Sequence, residues 1–81
     1  MQEWMDMINN LFFQHIDPEE MRADIEHILG EVDLHHSFGI PVNVVEVMGI
    51  YTYVLANTFD RGYAYREAIH YVQDVKRAMY N

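Results

Sequence analysis

Apolar residues recur at three- and four-residue intervals along most of the chain, and four stretches carry this helical pattern. In the first, about residues 2–16, Met1, Trp4, Met5, Ile8, Leu11, Phe12, His15 and Ile16 share one face, with Met7 and Phe13 flanking it. The second, about 18–29, has Met21, Ile25 and Ile28 as its stripe, and Val32 extends it. The third, about 42–59, carries Val44, Val47, Met48, Tyr51, Leu55 and Phe59. Ile50 and Val54 widen that stripe past half the circumference, which predicts a helix buried on several sides. Its β-branched residues would also suit a strand, but a run this long without a turn signal predicts helix. The fourth, about 63–80, turns Tyr65, Ala68, Ile69, Val72, Val75 and Met79 inward.

Punctuation separates these stretches. Asp17-Pro18-Glu19-Glu20 is a helix start: Asp as N-cap, Pro in the first helical position, and acids facing the positive end of the helix dipole. Gly30 is placed to end that helix, so Asp33–Gly39 reads as a loop or a short extra turn. Gly39-Ile40-Pro41 is a second break, with Pro41 suited to opening the next helix, and Asp60-Arg61-Gly62 is a third. The expectation is one all-α domain over 1–81, a bundle of four helices in up-down antiparallel order, with the third at its centre.

Charge divides the chain unevenly. Through Ile40 there are nine acids and one base; from Pro41 onward there are four of each, so the net −8 belongs to the first half. The acids Glu19, Glu20, Asp24, Glu26, Glu31 and Asp33 gather on and just after the second predicted helix. Such a run suits a solvated face, or one that steers toward a basic protein. A pI near 4.8 argues against nucleic acid or an anionic membrane as the primary partner. No stretch approaches the ~20 apolar residues that cross a bilayer, and the opening residues have the wrong polarity for a secretory leader. Cysteine is absent, which excludes disulfides and thiolate metal sites and fits a reducing compartment such as the cytoplasm. Hydrophobic content of 51% is more than 81 residues can easily bury, which favours self-association or a partner surface.

Candidate chemistry is confined to the histidines. Asp24/His27 and Glu67/His70 each pair a carboxylate with a histidine three residues on, as di-metal bundles do with added glutamates such as Glu3, Glu31 or Glu46. His27 and His70 fall off the apolar stripes, however, so the pattern favours solvated pairs. His35-His36, near Glu31 and Asp33, could hold a loop metal but reads better as a polar loop, and His15 as a core-edge histidine. No nucleophile-base constellation is present, Ser37 being the only serine, so neither an enzyme nor a cofactor is expected. Tyr63, Arg66, His70 and Arg77 on the outer face of the last helix could contact phosphates in a helix-turn-helix, but Glu67 and Asp74 interleave with them. Met48-Gly49-Ile50 and Arg66-Glu67-Ala68-Ile69-His70-Tyr71-Val72 resemble two pieces of ubiquitin-associated domains over the last ~40 residues. Their separation is one residue short and the family's glycine-asparagine loop is missing, so membership does not follow.

The functional expectation is therefore a small acidic, non-enzymatic protein-binding module, a regulator or inhibitor acting as a homodimer on a larger protein with a basic surface. Phage-type inhibitors share this composition, which would place it in host cytoplasm. The alternatives are a histidine/carboxylate metal-binding bundle and a DNA-binding regulator using the last helix. Partner contact is expected through Glu19, Glu20, Asp24, Glu26, Glu31, Asp33, Phe13 and Tyr53, and self-association through Gly49, Ile50, Val54 and Ala56.

Overall fold

A computed structural model describes residues 16–80. Within them the fold is all-α, with three helices and no strand: α1 Pro18–Ser37, α2 Val44–Thr58 and α3 Arg61–Tyr80. The expected four-helix bundle is corrected on this point. The stretch about 2–16 lies outside the described residues, apart from Ile16, and the other three stretches form the helices seen.

The start of α1 follows its sequence signal. The Asp17 side chain accepts from the Glu19 N–H at 2.9 Å, and Pro18 occupies the first turn. Its end does not. Gly30 sits in mid-helix, and Asp33–Ser37, expected as a loop or a short extra turn, continues the same helix for more than a turn. The reason is that the buried stripe continues through Ile28, Val32 and His35. Gly39 supplies the actual stop, with φ of +78°. The Gly39 N–H donates to the His36 carbonyl and the Ile40 N–H to the His35 carbonyl, the paired bonds of a Schellman cap. Ile40 and Val42 then plunge into the core around Pro41, with the Val42 N–H closing a γ-turn onto the Ile40 carbonyl at 2.9 Å.

Asn43, not Pro41, opens α2: its side chain accepts from the Val45 and Glu46 N–H groups. Phe59 closes it in the left-handed region at φ of 54°, donating its N–H to the Leu55 carbonyl. Only Phe59 and Asp60 separate α2 from α3. Asp60 caps α3 by accepting from the Tyr63 N–H at 3.0 Å, so Gly62 lies inside the first turn rather than in a turn before it.

Contacts fix the directions. Glu46, early in α2, bonds Tyr71, halfway along α3, so these helices are antiparallel. Glu20 and Asp24 near the start of α1 meet Arg61 at the start of α3, while Leu34, Phe38, Lys76 and Tyr80 cluster at their far ends, so α1 and α3 run parallel. The core gathers Ile28 and Val32 of α1, Val47, Tyr51 and Leu55 of α2, and Ala64, Ala68 and Val72 of α3, with Ile40 and Val42 closing one end. Ala64 and Ala68 keep α3 slim on this side, and α2–α3 is the most extensive interface. Three residues expected to face inward are instead exposed: Val44, Phe59 and Met79. Val44 and Phe59 are at the ends of α2, where cap geometry overrides helical periodicity.

Candidate functional site

The polar centre of the fold is a network that joins all three helices. Arg61 grips Asp24 with two parallel bonds, Nε to Oδ2 at 2.9 Å and Nη2 to Oδ1 at 3.0 Å. Its Nη1 donates to Glu20 Oε2 at 2.6 Å. The hydroxyl of Tyr51, whose side chain is fully buried, donates to Asp24 Oδ2 at 2.8 Å. Burial and the neighbouring Asp24 carboxylate push the Tyr51 hydroxyl well above its ordinary pKa. All four side chains have partners within the chain, so the cluster acts as a latch. Sequence reading missed it, although a tyrosine in the middle of a core stripe is the signal: its hydroxyl needs a buried partner.

The latch divides the acidic run. Glu20 and Asp24 both pair with Arg61, which partly neutralises them as docking charges. Glu31 is half-buried on the side of α1 facing α3. Glu19, Glu26 and Asp33 are exposed, seven residues apart and so nearly aligned along the outer face of α1, and make no ion pair among the described residues.

Beside that line, two separate cavities open between the parallel helices α1 and α3. At one end Ala23, His27, Gly62 and Tyr65 border the latch around a cavity of about 310 Å³. At the other, Leu34, Phe38, Ile40, Lys76 and Tyr80 line a second cavity of about 240 Å³. Leu34, Phe38 and Tyr80 are each more than half exposed, which leaves an apolar patch at this end.

A separate apolar groove of about 440 Å³ runs between α2 and α3, lined by Glu46, Gly49, Ile50, Tyr53, Val54 and Tyr71. It brings together Gly49, Ile50 and Val54, expected for self-association, with Tyr53, expected for partner contact. Ala56 is half-buried and not among the lining residues, and Val54 also packs on the core. The Glu46 carboxylate accepts from the Tyr71 hydroxyl at the rim, which raises the pKa of that hydroxyl. Phe13, the remaining expected contact, lies outside the described residues, as does His15.

The histidine readings are reshaped. His35 and His36 belong to the last turns of α1, and His35 is buried. His35 Nδ1 donates to the Glu31 carbonyl at 2.7 Å, and His36 Nε2 to the Val42 carbonyl at 2.7 Å, tying α1 to the strap that follows it. Asp24 belongs to the latch and is not available to His27. Among the described residues no three histidine or carboxylate groups converge as metal ligands would. On the outer face of α3, Tyr63, Arg66, His70 and Arg77 are exposed, with Asp74 3.7 Å from Arg77. Met48-Gly49-Ile50 lies inside α2, whereas the ubiquitin-associated resemblance would make it a loop. No helix among the described residues is long and apolar enough to cross a membrane. No family model, curated protein or solved structure matches the chain.

Proposed function

We propose that this chain is a non-enzymatic protein-binding module, a cytoplasmic regulator or inhibitor that occludes a larger, basic-surfaced protein and self-associates as a homodimer. One observation carries the docking half. On α1, the unpaired carboxylates of Glu19, Glu26 and Asp33 lead toward a cavity at the far end of α1 and α3 where Leu34, Phe38 and Tyr80 are exposed. A line of negative charge beside an apolar seat complements an amphipathic basic helix: the charges speed and orient encounter, and the seat supplies affinity.

A synthetic amphipathic leucine–lysine helix is a direct probe. It should bind saturably, more weakly as salt rises, and shift the amide resonances of Leu34, Phe38 and Tyr80. Reversing Glu19, Glu26 and Asp33 to Lys should slow its association about tenfold or more. Binding that is unchanged by the reversal, or that maps away from this cavity, would overturn this docking mode. Glu20 and Asp24 are left intact because their loss would break the latch.

A further inference from the structure

We propose that the outer face of α2 is a two-fold interface with a second copy of this chain, in which Tyr53 of each copy enters the groove beside Gly49 of the other. This rests on the self-association half of the function proposed above and assigns it a face.

Charge selects the face. The net −8 lies in the first half of the chain, which therefore repels the same half of a second copy. Pairing α1 with itself would bring Glu19, Glu26 and Asp33 together, and pairing α3 would bury the exposed Arg66, His70, Asp74 and Arg77. Over its 15 residues α2 carries a single charged side chain, Glu46, whose carboxylate is already engaged by Tyr71.

Shape selects a copy as the occupant. Tyr53 is a knob, 71% exposed; Gly49, one turn earlier on the same face, lines the groove between α2 and α3 and has open space beside it. An isologous contact requires a surface to fit itself, with each residue's contact reciprocated by the symmetry. An antiparallel pairing of two α2 helices that sets position 53 of one against position 49 of the other meets this condition. The same register carries Glu46 of each copy alongside Ala56 and Asn57 of the other, well away from the second Glu46. Val45, 75% exposed, is covered by the same end of the facing helix.

Area sets the strength. One face of a 15-residue helix is about 22 Å long and covers less than the ~800 Å² per partner of a standard interface. The dimer should therefore be a weak, reversible one.

Sedimentation velocity of the full chain from about 1 μM to about 1 mM tests this. The expected result is a monomer–dimer transition, with Tyr53→Glu raising its midpoint tenfold or more and Tyr53→Phe leaving it within about threefold. Circular dichroism of both variants should match the parent, showing that the helices survive. Because the chain has no cysteine, engineered cysteines report the face: a mixture of Gly49→Cys and Tyr53→Cys chains should form a mixed disulfide-linked dimer on mild oxidation, and Arg66→Cys should form none. A chain that stays monomeric throughout overturns both self-association and its face. A dimer that survives Tyr53→Glu, or that Arg66→Cys captures in preference to the Gly49→Cys/Tyr53→Cys mixture, overturns the face and leaves self-association standing.

Discussion

Removing the Asp24 carboxylate should cost far more than removing the hydroxyl that binds it, and the two losses should not add. Tyr51→Phe deletes one hydrogen bond to a charged acceptor and leaves Asp24 gripped by Arg61 through two others. A cost of about 1–2 kcal/mol follows. Asp24→Ala does more. It strips Arg61 of its two-pronged partner, leaves the fully buried Tyr51 hydroxyl without an acceptor, and deletes a side chain only 15% exposed. The orphaned hydroxyl alone costs about 1–3 kcal/mol, and the lost charged bonds bring the total to about 3–4 kcal/mol. A domain of this length holds roughly 4–12 kcal/mol in all, so the variant should remain folded but unfold at markedly lower urea concentration. In the double variant no hydroxyl is left to orphan. Its cost should fall short of the summed single costs by about 1–2 kcal/mol, which is the coupling energy between the two side chains. Urea unfolding followed by helical circular dichroism at neutral pH gives all three values. Additivity within about 0.5 kcal/mol would refute the latch as a coupled unit, and an Asp24→Ala cost below about 1 kcal/mol would refute its burial.

Tyr51 also sets an alkaline limit. Its hydroxyl is held protonated in the folded chain above the ordinary tyrosine pKa, so the unfolded chain loses that proton first as pH rises. The stability this shift contributes is full below about pH 10 and should fall above it by up to about 1.4 kcal/mol per pH unit; Tyr51→Phe should flatten the decline, and an equal slope in both proteins would contradict the assignment. Phe59 sits at φ of 54° with its ring half exposed, a conformation that costs an L-residue roughly 1–2 kcal/mol and glycine very little. Phe59→Gly should therefore raise the melting temperature by several degrees, a gain of about 0.5–1 kcal/mol after the extra flexibility of unfolded glycine; a lower melting temperature would show that the ring contributes more than the backbone strain removes.

Periodicity placed the cores of α1, α2 and α3, because Ile28, Val47, Tyr51, Leu55, Ala68 and Val72 are buried for the reason their spacing suggests: one side of each helix faces the other two. The ends were harder to read. Gly30 looked like a stop because glycine often follows a last turn, yet no left-handed residue is needed there. Gly39 is the glycine that adopts one, and only the hydrogen bonds of His35 and His36 carbonyls reveal it. Prolines misled in the same manner at Pro41, where the strap needs a tight turn and Asn43 supplies the cap. In the candidate sites, residues within one helix were legible as sets, Gly49, Ile50, Val54 and Ala56 for self-association and Tyr53 for partner contact, and the structure brings Tyr53 to the same groove as the first three of them. The Asp24–Arg61 and Tyr51–Asp24 bonds span 37 and 27 positions of sequence, and no local spacing encodes them. Their consequence was that two acids counted toward a docking face were already partly neutralised.

The two-residue link between α2 and α3 has a consequence for how the domain opens. Those helices form a hairpin of short loop and extensive interface, whereas α1 reaches α3 only through contacts distant in sequence, and touches α2 least of all. Loop closure for the hairpin is cheap and for α1 is not. Amide exchange should therefore divide the domain into two cooperative units, with α1 releasing first and the hairpin exchanging only on global unfolding. Since the unpaired carboxylates ride on the less protected unit, any partner that grips α1 would also slow its exchange.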